Sequence, residues 1–265
     1  MSRFRLDHNL PRAQGLYRPD HEHDACGVGF VADIQGKRSR SVLERALGCV
    51  CQLAHRGALD ADAKSGDGAG VLTQIPFKLF KREVEKLGHR LYEEGDLGIG
   101  FFFLPANDTY AQAHIRKVAE EAVIKRGLVS LGWRSVPVNQ RILGEKAALS
   151  APLIEQLLVA RPDAKKLSDD SFELALFLCR NEIEHRCHAD RTPPFYVPSF
   201  SSRVIVYKGM LTGTQLKSFY LDLQDPLYET ALAVFHQRYS TNTFPTWPLA
   251  HPFRMLAHNG EINTL

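Results

Sequence analysis

One cysteine, Cys26, stands where a polar leader gives way to a glycine-spaced apolar strand, in the run His23-Asp24-Ala25-Cys26-Gly27-Val28-Gly29-Phe30. If the bond between Ala25 and Cys26 were cut, Cys26 would carry both a thiol nucleophile and a free amine able to take the thiol's proton. The amine titrates near about 8 and the thiol near about 8.5, so proton transfer between them is easy near neutral pH. Cys26 is therefore a candidate nucleophile. The alternative is a small buried hydrophobic residue at the start of a strand.

Two polar stretches near the other end of the chain could complete such a site. The first is His236-Gln237-Arg238-Tyr239-Ser240-Thr241-Asn242-Thr243, and the second is His258-Asn259-Gly260-Glu261-Ile262-Asn263. An arginine holds a carboxylate through two parallel hydrogen bonds, and an asparagine amide followed by a glycine N–H can donate jointly to a developing oxyanion. With a nucleophile, these groups suit hydrolysis of an amino-acid side-chain amide. Arg238 could instead form a surface salt bridge, and Asn-Gly is also an ordinary turn signal.

Apolar spacing predicts the elements that must position these residues. Helices are expected to begin near Ser41 and Phe77, with two longer ones over 108–126 and 168–188. Strands are expected over 28–34, 71–75, 97–104, 132–138, 153–159, 202–207 and 232–236. Strands dominate both ends and helices fall between them, which favours an α+β layered fold. The loop Ser65–Gly70 precedes a strand and lacks a Lys-Ser/Thr ending, so a crossover is favoured over a nucleotide-binding loop.

Charge and hydropathy exclude several classes of protein. The chain of 265 residues has 33 basic and 30 acidic residues, which does not favour nucleic acid as a partner. No apolar stretch approaches the roughly 20 residues that a membrane span requires. The leader, residues 1–25, mixes arginines with acidic residues and has no apolar centre, so it resembles neither a secretory signal nor a transit peptide.

Cysteine usage favours a reducing cytoplasm. Five cysteines, at positions 26, 49, 51, 179 and 187, make an odd number in a chain without an export signal, so a disulfide framework is not expected. Cys179, His185, Cys187 and His188 lie on one predicted helix, where only positions 185 and 188 are near neighbours. No second pair of ligands completes a metal site, and we predict none.

Four ordered motifs carry a resemblance to a known family: Cys-Gly-Val-Gly-Phe at 26–30, Leu-Ala-His-Arg-Gly-Ala at 53–58, Gly-Asp-Gly-Ala-Gly-Val-Leu at 66–72 and His-Gln-Arg-Tyr-Ser-Thr-Asn at 236–242. Together they resemble the class II glutamine amidotransferases, a group of N-terminal nucleophile hydrolases. More narrowly, they resemble the amidotransferase domain at the N-terminal end of glutamate synthase large subunits. The resemblance implies an α+β fold built as a four-layer αββα sandwich. Residues 1–25 would be a propeptide or leader, and residues 26–265 an amidotransferase domain that is truncated at its C-terminal end.

The resemblance also implies roles at the positions that match. Cys26 would attack L-glutamine to form a thioester, releasing ammonia and then glutamate, with the exposed amine as base. Arg238 would bind the glutamine carboxylate, beneath a closing loop formed by Tyr239, Ser240, Thr241 and Asn242. The Asn259 side chain and the Gly260 backbone would form the oxyanion hole. An acidic residue that holds the substrate's amino group in this family would lie beyond Leu265.

For a complete protein the resemblance implies a synthase part with FMN and an iron–sulfur cluster, where ammonia meets 2-oxoglutarate. A small subunit or ferredoxin would supply electrons, and no cofactor is expected in the present chain. Two alternatives stay open. One is another class II amidotransferase with a phosphoribosyl or sugar-phosphate acceptor, and the other is an inactive fragment that serves only as an interaction module.

Overall fold

The structure, a computed structural model, describes residue 15 and residues 27–91, 93–162, 167–237 and 244–254. Within these ranges the strands are β1 Val28–Ala32, β2 Ala69–Gln74, β3 Leu97–Leu104, β4 Val129–Ser135, β5 Leu153–Ala160, β6 Tyr196–Ser201, β7 Val204–Gly209 and β8 Leu232–Gln237. The α-helices are α1 Arg40–Gln52, α2 Phe77–Lys86, α3 Thr109–Lys125, α4 Glu145–Leu149, α5 Asp169–Ala189 and α6 Gly213–Phe219. Short 3-10 helices span Leu53–Arg56, Glu94–Asp96, Gln140–Ile142 and Leu221–Gln224. None of the helices in these ranges is long and apolar enough to cross a bilayer.

The first sheet, sheet I, unites strands from early and late parts of the chain in the order β1-β8-β2-β7. All three of its strand pairs are antiparallel, and Val71 in β2 lies between Phe235 of β8 and Tyr207 of β7. These three side chains share one face of the sheet, because paired residues point the same way. Helices α1 and α6 pack on that face, where Leu43, Val50, Leu216 and Phe219 join the same buried cluster.

The second sheet, sheet II, has the order β4-β5-β3-β6 and is also wholly antiparallel. Apart from the short helices between β4 and β5, its elements follow one another as β3-α3-β4-β5-α5-β6, which is the split βαββαβ arrangement. Helices α3 and α5 cover one face, burying Phe102 and Leu104 with Leu176 and Ile183. The predicted α+β class is confirmed by these two sheets, whereas the four-layer sandwich stays a prediction.

Sheet I and sheet II meet through aromatic rings and a buried ionic network. The rings of Phe101 and Tyr207 lie 5.2 Å apart in an edge-to-face arrangement. Beside them Arg134 donates to both carboxylate oxygens of Asp222, at 2.6 and 2.9 Å, and to Glu83 at 3.0 Å. The Tyr207 hydroxyl also donates to Asp222, at 2.8 Å. Burial alone would raise the pKa of Glu83, but hydrogen bonds from Lys86 and Arg134 outweigh it and lower the pKa to about 2.

Three elements, α4, β6 and α6, were not predicted, and β6 and α6 each have a local reason. Strand β6 contains Pro198, which cannot donate to a ladder, and β6 tolerates it as an edge strand of sheet II. Helix α6 has only seven residues, and its start is marked by a capping box between Thr212 and Gln215. Strand β4 begins at Val129, earlier than predicted, because a bulge before Gly132 lets the pairing continue past this glycine.

Candidate active site

The end of sheet I where β1 begins and β8 ends is the candidate active site. There the Gly27 carbonyl accepts a hydrogen bond of 2.7 Å from the N–H of Gln237. Strand β2 begins at the same end, where Ala69 lies opposite Gln237. The chain segment that precedes Gly27 and the segment that follows Gln237 therefore join the sheet at neighbouring positions.

Two more of the four motifs pack against Gln237. A Cβ built on Gly57, which follows the 3-10 helix Leu53–Arg56, would lie 2.2 Å from the Gln237 Nε2 atom and 3.5 Å from Asp67 Oδ1. Asp67 belongs to the glycine-rich loop, and only 6% of its surface is exposed. All four motifs thus converge at one end of sheet I, although the first motif ends at residue 30 and the fourth begins at residue 236.

The glycine-rich loop leads into strand β2, as the sequence predicts. A Cβ on Gly66 would come within 2.3 to 2.5 Å of backbone atoms of Leu211 and Thr212. Gly68 has a φ of 144°, a backbone conformation that L side chains rarely adopt. The glycines therefore permit close approach of the loop to the start of α6, which is a structural reason for their spacing.

Gly27 is required by the close approach of β1 to β8. A Cβ at this position would lie 2.0 Å from the Gln237 carbonyl oxygen, a rigid backbone atom that cannot swing away. We expect Gly27→Ala to displace the start of β1 and to lower the glutamine hydrolysis that the motifs predict at least about tenfold, because misplacement of about 1 Å can reduce catalysis that much or more.

The measurement is steady-state glutamine hydrolysis, with Gly48→Ala as the matched control. Gly48 lies in α1, and a Cβ there meets nothing within 4 Å. Equal turnover in the two variants would contradict the requirement at Gly27.

The other face of sheet I at this end is covered by residues 244–254. The His251 ring lies 4.6 Å from the His236 ring, and a Cβ on Gly70 would come within 2.4 Å of the His251 carbonyl oxygen. The Lys208 Nζ atom donates to the Pro248 carbonyl oxygen at 2.7 Å. Lys208 is fully buried, and burial lowers the pKa of its ammonium well below the usual range.

The predicted catalytic and substrate-binding residues lie outside the described ranges. They are Cys26, Arg238, Tyr239, Ser240, Thr241, Asn242, Asn259 and Gly260. Their assigned roles stay predictions. The structure describes β1, which follows Cys26, β8, which precedes Arg238, and residues 244–254, which precede Asn259. Lys208 and Glu173 are buried near residues 244–254 without any local signal in the sequence, because their burial follows from tertiary packing.

Three of the other cysteines, Cys51, Cys179 and Cys187, are poorer candidates for a nucleophile because their thiols are partly or fully buried. Cys179 and Cys187 are buried against sheet II, and burial raises the pKa of Cys179 to about 11. Burial also raises the pKa of Cys51, whose thiol donates to the Gly213 carbonyl oxygen. Such thiols stay protonated at neutral pH, whereas the thiolate is the reactive form.

The family model described as glutamine amidotransferases class-II matches residues 26–265. The chain belongs to this family. The range matched in this class II amidotransferase begins at the candidate nucleophile and contains all four motifs that converge at the end of sheet I.

Glutamate synthases are among the proteins similar to this class II amidotransferase. It is 49% identical over 262 residues to the glutamate synthase [NADPH] large chain of Azospirillum brasilense, which covers 99% of this chain and 17% of that protein. It is 43% identical over 257 residues to the glutamate synthase [NADPH] large chain of Bacillus subtilis, covering 97% and 16%. Ferredoxin-dependent glutamate synthase 2 of Synechocystis is 45% identical over 244 residues, covering 92% and 15%. The chain therefore spans 15–17% of the length of these relatives.

Proposed function

We propose that this chain is the glutaminase part of a glutamate synthase. It hydrolyses L-glutamine to glutamate and ammonia, and in the complete protein the ammonia is used on 2-oxoglutarate to form a second glutamate. The observation that carries the proposal is the convergence of the four motifs on Gln237 at one end of sheet I. The names of the relatives favour a synthase over an enzyme with a phosphoribosyl or sugar-phosphate acceptor.

The register of sheet I supports a joint site for the nucleophile and the carboxylate clamp. Strands β1 and β8 pair Val28 with His236, and the hydrogen bond between Gly27 and Gln237 extends this pairing by one step. Cys26 precedes Gly27 and Arg238 follows Gln237 in the sequence. The proposal therefore assigns the nucleophile and the carboxylate clamp to the same end of sheet I.

Each chemical step has a group assigned to it. After removal of residues 1–25, the Cys26 amine takes the thiol's proton, and the thiolate attacks the side-chain carbonyl carbon of glutamine. The oxyanion is held by the Asn259 amide and the Gly260 N–H, each worth on the order of 3 kcal/mol. The amine returns its proton to the leaving nitrogen, ammonia departs, and a glutamyl thioester remains. The amine then takes a proton from a water molecule as the water attacks the thioester, glutamate departs, and the amine passes this proton to the leaving thiolate.

The same proposal includes the four-layer sandwich as the fold of the complete domain, with residues 26–265 as most of it and residues 1–25 as a propeptide. Sheet I with α1 and α6 would supply two of the four layers. The opposite face of β1 carries Val28 and Phe30, whose exposed fractions are 51% and 72%. Large apolar side chains exposed in this way are suited to cover by a second sheet.

The synthase half-reaction is assigned to the rest of the complete protein. Among the described residues, no group of three or more His, Cys, Asp or Glu side chains could hold a metal ion. These residues therefore do not fit the predicted iron–sulfur cluster, and we assign the cluster and FMN to parts outside them. The electron donor would be a small subunit or ferredoxin, and both NADPH- and ferredoxin-dependent relatives are similar to this chain.

Glutamine hydrolysis by the purified protein tests the proposal. We expect the intact mass to show loss of residues 1–25 and the mature chain to release glutamate and ammonia in equal amounts. If the leader stays attached, its removal by an engineered protease site should start the reaction. A mature chain that neither hydrolyses L-glutamine nor binds it saturably would contradict the proposed function and favour an inactive interaction module.

A further inference from the structure

Residues 244–254 connect the predicted carboxylate clamp at Arg238 to the predicted oxyanion pair, Asn259 and Gly260. The position of this connecting segment is therefore relevant to both ends of the proposed site. The described part of the segment makes contacts with sheet I and with the βαββαβ unit that contains sheet II.

The first anchor is Trp247, which is only 2% exposed. Its indole N–H donates to the Ala147 carbonyl oxygen at 3.1 Å. Its ring lies 6.1 Å from that of Phe103 in sheet II and 5.5 Å from that of Phe219 in α6. A large ring held between two elements fixes the early part of the segment.

The second anchor is Lys208 in strand β7. Its Nζ atom donates to the Pro248 carbonyl oxygen and lies 4.1 Å from the centre of the Phe253 ring. The Tyr196 ring is 4.6 Å away on sheet II. One side chain thus contacts the segment at two points, 248 and 253.

The third anchor is an ion pair between Arg254, the last described residue, and Glu173 in helix α5. Glu173 is 9% exposed and also accepts hydrogen bonds from the Ser201 hydroxyl at 2.7 Å and the Ser202 N–H at 2.7 Å. A buried carboxylate is costly unless it is paired and hydrogen-bonded, so Glu173 strongly favours a conformation in which Arg254 stays beside it.

We propose that Glu173 is a positioning residue for the glutaminase reaction. By holding Arg254 it fixes the chain five residues before Asn259, so that the asparagine amide and the Gly260 N–H meet the developing oxyanion. The inference rests on the proposed function, because the oxyanion role of these two residues belongs to that proposal. Glu173 lies in α5, so in this proposal the βαββαβ unit helps to position a site at the end of sheet I.

The test is the variant Glu173→Gln, which removes the negative charge that holds Arg254. Loss of an oxyanion donor costs about 100-fold in turnover, and partial misplacement should cost about 10- to 100-fold in kcat. KM should change less than about threefold, because carboxylate recognition is assigned to Arg238 and not to the oxyanion pair. Arg254→Gln should reproduce the effect while leaving the serine contacts of Glu173 in place, and Arg254→Lys should restore part of kcat.

Glu182→Gln is the matched control. Glu182 lies on the same helix, and its ion pairs are with Lys125, the last residue of α3, with Arg126, which follows it, and with Arg186 of α5. Its side chain is 13% exposed, against 11% for Glu173. The Glu182→Gln variant should keep kcat and KM within about twofold of the unmodified protein, as expected for an ion pair outside the site.

Amide hydrogen exchange over 244–265 provides a readout that does not depend on activity. Glu173→Gln should speed exchange in these residues while leaving β3 and β5 protected, and Glu182→Gln should not. An active parent whose kcat and exchange are unchanged by Glu173→Gln and Arg254→Gln would overturn the positioning role and leave the proposed function standing. An inactive parent that still shows the faster exchange would refute the glutaminase reaction and, with it, the catalytic consequence of the anchor.

Discussion

Replacement of Cys26 by alanine is expected to reduce glutamine hydrolysis to background and to leave residues 1–25 attached. Both effects have one cause, because the same thiol is assigned to attack the Ala25 carbonyl during removal of the leader and the glutamine amide during turnover. Loss of a catalytic nucleophile costs on the order of 10⁴- to 10⁶-fold in kcat. Ammonia release and the intact mass of the purified protein measure the two effects separately.

Cys49→Ala is the control for this prediction. Cys49 is an exposed free thiol on helix α1, in the same half of the chain as Cys26, and it belongs to none of the four motifs. Its replacement should leave both hydrolysis and the mass of the mature chain unchanged. A Cys26→Ala protein that still hydrolyses glutamine would refute the assignment of the nucleophile, and with it the mechanism through a thioester.

The role of Cys26 in hydrolysis can be tested separately from its role in the removal of residues 1–25. A Cys26→Ala chain from which residues 1–25 are removed by an engineered protease site should bind glutamine without hydrolysing it. Binding without turnover is expected because the proposal assigns carboxylate recognition to Arg238 and bond breaking to Cys26.

The amino-acid sequence was sufficient to predict elements whose apolar pattern is strong and local. Strand β3, Leu97–Leu104, matches its prediction, because eight consecutive apolar or glycine residues indicate a strand buried on both faces. Helices α3 and α5 match to within two residues, since each has a side-chain N-cap and a long apolar stripe. Strand β6, which contains Pro198, and the seven-residue helix α6 lack such a pattern, so they were not predicted.

The local sequence pattern did not predict which strands pair with one another. Sheet I joins β2 to β7 and β8, so partners such as Gly70 and His236 are far apart in the sequence. Single-sequence spacing contains no information about which strands meet at such a distance, whereas the βαββαβ unit follows from neighbours in the chain. The candidate site was predictable only as a set of motifs, and its supporting residues, Lys208 and Glu173, required the packed structure.

The largest effect on stability is expected at Arg134, between the two sheets. Its side chain is 10% exposed and is paired with Asp222 and Glu83, whose exposed fractions are 3% and 9%. Arg134→Met keeps much of the side-chain volume but leaves both carboxylates without this partner in a buried site. Removing one member of a buried ion pair costs about 3–5 kcal/mol, so we expect the free energy of unfolding to fall by that amount in urea titrations.

Arg186→Met is the comparison for an exposed pair. Arg186 and Glu121 have side chains that are 38% and 45% exposed, and such pairs contribute about 0–1 kcal/mol. Equal destabilisation by Arg186→Met and Arg134→Met would show that burial of the network is not the cause. A double variant, Arg134→Met with Asp222→Asn, tests the cause directly. If the loss arises from the uncompensated Asp222 charge, the double variant should be more stable than Arg134→Met alone, whereas loss of packing would make it equal or worse.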